Sequence, residues 1–69
     1  MKKILAGKIR HVVESTDKKY VEILNPQISM MTERAVCINK HWVPLSQLAI
    51  DVDDNLYMKK WLYEKEFAG

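Results

Sequence analysis

One cysteine, two glycines, two prolines and one phenylalanine in 69 residues leave this chain few of the devices that brace a small domain. A single thiol, Cys37, cannot close an intramolecular disulfide, and a lone cysteine fits a reducing compartment. With so little glycine there is no glycine-rich phosphate loop. No apolar run approaches the ~20 residues of a membrane-spanning helix. The N-terminal MKKILAG starts like a signal n-region, but its apolar run is only Ile4, Leu5 and Ala6. A secretory core needs roughly 7–15 apolar residues. The expectation is a soluble, cytoplasmic protein with no membrane partner.

Eleven basic and nine acidic residues give a net charge of +2, which does not by itself demand a polyanionic partner. An apolar fraction of 48% argues for a folded chain and against disorder. Its length allows a single domain over 1–69. Chains this short bury only about 60% of their unfolded surface, so the core is marginal.

Hydrophobic alternation and turn residues predict strands over about 3–14, 20–24, 34–38, 41–44 and 49–52. The first places Leu5, Gly7, Ile9, His11 and Val13 on one face, with Gly7 marking a bulge or bend. Asn25-Pro26 ends the second. Residues 27–32 read as an irregular loop with Ile28 and Met30 tucked inward. Asn39-Lys40 reads as a two-residue hairpin turn, because Asn tolerates positive φ. Pro44 ends the returning strand. Asp53-Asp54-Asn55 suits a helix N-terminus, with acidic groups at the positive end of the dipole. A helix is predicted over about 54–67. The expected class is therefore α+β: a small antiparallel sheet or open barrel of four or five strands, SH3- or OB-like, with one C-terminal helix.

Read as a helix, that last segment is apolar on two sides. Leu56, Lys60, Tyr63 and Phe67 share one stripe; Tyr57, Met58, Trp61 and Leu62 share another. A helix lying on a sheet needs only one apolar face. Either the small domain wraps the helix, or the second stripe binds a partner or a second copy.

Catalytic and metal chemistry find little support. Cys37 and His41 are four residues apart across a hairpin turn, and no CxxC or HxxxH spacing accompanies them. Asp51 to Leu62 lacks the central glycine and terminal glutamate of a calcium loop. Ser46 has no glycine elbow around it. The expectation is no enzyme, no cofactor, no metal and no small-molecule substrate.

Trp42-Val43-Pro44-Leu45-Ser46-Gln47, Glu33-Arg34-Ala35-Val36-Cys37-Ile38 and Trp61-Leu62-Tyr63-Glu64-Lys65 together resemble a group of small phage- and prophage-encoded proteins. That group shows a T-E-[KR]-A-[VI]-x-[VI] strand, a W-[ILV]-P-K-S-Q segment and a C-terminal W-L helix. The resemblance covers residues 32–66. Leu45 stands where the group has lysine, which removes a cation there. The resemblance implies an accessory, binding role near replication or recombination. On physical grounds Trp42 is expected to anchor the core beside the helix.

Two binding modes are open. A protein partner or dimer would use Tyr57, Met58, Trp61 and Leu62 with Met30 and Met31. Its target would be a host enzyme or a defence factor. A single-stranded nucleic acid would use Lys8, Arg10, Lys18, Lys19, Tyr20, Arg34 and Lys40, with Tyr20 and Trp42 as stacking platforms.

Overall fold

The structure, a computed structural model, describes Leu5 and residues 7–68. Among the described residues six strands form: β1 (Tyr20–Glu22), β2 (Ile28–Met31), β3 (Ala35–Ile38), β4 (His41–Pro44), β5 (Leu48–Ile50) and β6 (Leu56–Lys59). A 3-10 turn, Leu45–Gln47, joins β4 to β5. After β6 the chain turns helical: α1 (Lys60–Tyr63) is followed by a wider π-helical stretch, Glu64–Ala68. The strands pair as two antiparallel sheets, β1-β6-β5 and β2-β3-β4, where the sequence predicts a single sheet or open barrel, and the described residues close no barrel.

The core lies between the sheets. Val36, Ile38 and Val43 of the second sheet meet Leu48, Leu56 and Met58 of the first, with Leu5, Ile9, Ile23, Leu45 and Leu62 completing the cluster. Alternation then sends Tyr57 and Ala49 to the far side of the first sheet, where they cluster with Val13 and, half-buried, Tyr20.

The hairpin turn forms as read: Asn39 and Lys40 both have positive φ, 51° and 69°, the backbone a two-residue turn requires. The Asn39 Oδ1 accepts from the Gln27 amide at 2.9 Å, tying this turn to the start of β2.

Three predicted elements are corrected. The strand over 3–14 is absent from its described part. Leu5, Gly7 and Lys8 are helical, and the Ile9 amide donates to the Leu5 carbonyl at 3.2 Å. Residues 3, 4 and 6 lie outside the described residues. Leu5, Ile9 and Val13 recur every four residues, a spacing that fits one strand face and one helix face equally. Only Val12 bridges a strand, parallel to Ile50. His11 and Val12 are exposed, and a Cβ at Gly7 would meet nothing within 4 Å, so no close approach requires glycine there.

Residues 27–32 are not an irregular loop. They contain β2, whose pairing shifts between Ile28 and Met30. That bulge breaks the alternation, so Ile28 packs inward and Met30 points out.

The helix over 54–67 begins six residues late. Residues 51–55 make a hairpin loop around the Asp51 carboxylate. It accepts from the Asp53 and Asn55 amides, each at 2.9 Å, from the Asn55 side chain at 3.0 Å and from the Tyr57 hydroxyl at 3.0 Å. Asp54 takes φ 62° to close it. Leu56–Lys59 then runs as the central strand of its sheet. A central strand covered on both faces is apolar on both, which accounts for Leu56, Tyr57 and Met58 of the double stripe read as helix.

The helical end docks on β4. Phe67 stacks on Tyr63 with centroids 5.5 Å apart and lies 4.7 Å from the His41 ring. The His41 Nδ1 is 3.8 Å from the Glu66 Oε2. No helix among the described residues is long and apolar enough to cross a membrane.

Candidate functional site

The second sheet has one face on the core and one facing away. Val36, Ile38 and Val43 point in, so Ala35, Cys37, Trp42 and Pro44 point out. Register places Met30, Cys37 and Trp42 in one row across the three strands, and Ala35 opposite Pro44. Met30 is 61% exposed and Trp42 50%, whereas Cys37 between them is 9% exposed. Directly opposed side chains in antiparallel strands sit about 4.5–5.5 Å apart at Cβ, close enough for two large neighbours to shield a small one. The outward face is therefore apolar and bears no charge of its own. Charges sit at its ends: Glu33 and Arg34 in the β2–β3 turn, and Lys40 in the β3–β4 turn.

Trp42, read as a core anchor beside the helix, is corrected by this placement. A tryptophan next to an inward valine on a strand must face outward. Of the six side chains predicted to bind protein, Met30 is on this face. Met31 is half-buried against the core. Tyr57, Met58 and Leu62 are buried in the fold and offer no surface, because the segment predicted as an exposed helix stripe is a central strand and the inward side of α1. Trp61 is 57% exposed, on α1, which packs against β1 and β6 of the first sheet. What the sequence reading missed is the cross-strand row itself. Its signal was present in the alternation of Ala35-Val36-Cys37-Ile38, which leaves an apolar residue on both sides of β3.

The basic residues divide into groups. Lys18 and Lys19 lie in the turn before β1. The Lys60 amide donates to the Lys19 carbonyl at 2.9 Å, and Tyr20 is opposite Lys59, so four lysines gather at one end of the first sheet. Asp17 and Glu64 lie among them; Lys60 is 3.9 Å from Glu64, and the Asp17 carboxylate accepts from the Lys19 amide at 2.9 Å. Lys8 and Arg10 lie elsewhere, beside Leu45 and Ser46. Arg34 is tied to that turn through its carbonyl, which accepts from the Leu45 amide at 2.8 Å. Lys40 stands apart at the far hairpin. The seven residues predicted to bind nucleic acid therefore do not form one groove.

The best-organised polar group is the Asp51 loop. Hydrogen bonds from Asn55 hold the Asp51 carboxyl below its usual range, with the Asp53 amide and the Tyr57 hydroxyl adding to it against the opposing effect of desolvation. Desolvation pushes the Tyr57 phenol up, reinforced by its bond to Asp51. Every one of these bonds closes the β5–β6 hairpin, so the group is a structural brace. Among the described residues, no three His, Cys, Asp or Glu side chains gather to hold a metal ion. The chain matches no family model, no curated protein and no solved structure.

Proposed function

We propose that this chain is a small, non-enzymatic accessory protein of the phage type, and that it works by binding another protein through the outward face of its second sheet. The observation that carries the reading is the Met30–Cys37–Trp42 row. Protein-binding surfaces concentrate aromatic side chains and methionine at an uncharged centre and leave charge at the rim. Here a half-exposed tryptophan and an exposed methionine form the centre, and Arg34, Lys40 and Glu33 form the rim.

A second copy of the chain is a poor occupant. Stable interfaces bury about 800 Å² per partner, roughly a sixth of this molecule's 4996 Å² surface. Two partly exposed large side chains with Ala35 and Pro44 supply only a few hundred Å². An area of that size seats a short segment and not a whole protein face, so the occupant that fits is a single amphipathic helix of a larger protein, laid across β2, β3 and β4. Its carboxylates would meet Arg34 and Lys40 at the two ends.

The test uses paired baits. A protein captured from a bacterial extract by the native chain should be retained by a Trp61→Ala bait and lost by a Met30→Ser/Trp42→Ala bait that still melts cooperatively. Equal capture by all three would refute the reading. A concentration-dependent dimer mass, abolished by the same double substitution, would replace the foreign partner with a second copy.

A further inference from the structure

The turn after Pro44 lines a second feature, separate from the apolar face. Leu45–Gln47 is pinned by the Leu45 amide on the Arg34 carbonyl at 2.8 Å and by the Leu48 amide on the Leu45 carbonyl. Leu45 is buried. The segment from Lys8 to His11 passes the same turn and is anchored to β5, because the Ile50 amide donates to the His11 carbonyl at 3.0 Å. Between the two segments lies a concavity of about 210 Å³, lined by Lys8, Arg10, His11, Leu45 and Ser46.

Its lining is chemically one-sided. Exposed Lys8, Arg10, His11 and Ser46 line it beside buried Leu45, with no acidic residue among them. The carboxylates nearest in sequence turn elsewhere: Glu14 and Asp51 line a different concavity with Val12, Val52 and Asp53. Among the described residues, the close contacts between basic and acidic side chains are His41–Glu66 and Lys60–Glu64, and neither involves Lys8 or Arg10. The Ser46 Oγ accepts from the Gln47 side chain at 3.4 Å, which leaves its own hydrogen to donate. Two cations brought together without an acceptor repel each other. A bound anion reverses that cost, and Arg adds a planar fork matched to two oxygens of one oxyanion while Lys adds a point charge. By volume the concavity holds about seven waters at ~30 Å³ each, room enough for a tetrahedral oxyanion with part of its hydration.

We propose that this concavity is a phosphate-binding site, in which Arg10 and Lys8 neutralise the group while Ser46 and His11 orient it. It goes beyond the protein-binding reading and does not depend on it. The pocket recognises the phosphoryl group itself, whether free or carried on a nucleotide chain.

Amide spectra of the full chain, titrated with inorganic phosphate at constant ionic strength against a chloride control, test it. Saturable shifts should be confined to residues 8–11 and 45–47. Lys8→Gln/Arg10→Gln should weaken binding about tenfold or more, because it removes both charge-assisted partners. Lys18→Gln/Lys19→Gln should leave it unchanged. Two oligothymidylates of about ten nucleotides, with and without a 5′-phosphate, separate the sources. Tightening of both over inorganic phosphate assigns the site to backbone phosphates. Tightening of the phosphorylated one alone assigns it to a terminal phosphate. Shifts no larger than those in chloride overturn the proposal, as does an equal loss in the Lys18/Lys19 variant.

Discussion

In the first sheet the outward side chains Tyr57 and Ala49 are almost fully buried; in the second, the outward Met30 and Trp42 stay largely in solvent. Both sheets have three antiparallel strands, and both turn apolar side chains away from the shared core. They differ in what covers those side chains. Beside the first, the segment around Val13 runs parallel to β5, with the Val13 amide donating to the Ile50 carbonyl at 2.8 Å and its side chain packing on Tyr57. Over the second, no described segment does so. An apolar strand face favours being covered, and among the described residues that cover is present on the first sheet while Met30 and Trp42 of the second stay exposed.

The sharpest way to break this comparison is to truncate one aromatic on each side. Tyr57→Ala should cost about 3–5 kcal/mol, as removal of a buried aromatic does, and it also strips Asp51 of a donor. In a domain of this size that leaves little or no folded protein at 25 °C in a urea titration. Trp42→Ala should change stability by about 1 kcal/mol or less, because half of its surface is already in water. Similar losses for the two variants would mean that both faces are covered.

A smaller effect is expected when the cover itself is thinned. Val13→Ala removes two buried methyl-sized groups and should cost about 1.5 kcal/mol at ~0.8 kcal/mol each. Faster amide exchange should follow at Ala49 and Tyr57 and not at Cys37 or Trp42. Uniform acceleration across both sheets would show that the segment braces the whole fold and not one face.

The smallest effects lie at the ends of the pH range, and they too fall on the first sheet. Asp51 titrates below its ordinary 3.8 in the folded chain, so the stability it confers is present above about pH 4 and is lost as acid protonates it. Tyr57 titrates above its ordinary 10.0, so its contribution is complete below about pH 10 and is lost as base ionises it. Thermal melts should be flat between these limits. Asp51→Asn should soften the acid limb, and Tyr57→Phe should remove its share of the alkaline limb. An unchanged acid limb in Asp51→Asn would assign the acid sensitivity to another carboxylate.

Much of the second sheet was legible in sequence, because β3 and β4 are joined by two residues and local pairing needs no distant partner. Asn39 announced the turn and Pro44 the strand end. In the first sheet β1 and β5 were legible as strands, but their shared neighbour β6 was not, because it pairs with β1 across more than thirty residues. A three-residue apolar run such as Leu56 to Met58 reads equally well as the start of a helix or as a buried strand. The same ambiguity hid the helical turn around Leu5 and Ile9. The binding residues failed for a related reason: Tyr57, Met58 and Leu62 were assigned to a surface only because the segment was assigned to one long helix.

By itself, then, the sequence determined the α+β class, the β3–β4 hairpin and the presence of more apolar surface than one sheet face can absorb. Those properties follow from local turn chemistry and from composition. Only the tertiary structure decided which apolar face is exposed and which basic residues meet. Covering Tyr57 takes a segment forty-four positions away, and bringing Lys8 and Arg10 to Ser46 takes the anchoring of His11 on Ile50. Contacts at that separation depend on how strands order themselves into sheets, and side-chain period along the chain carries no record of that order.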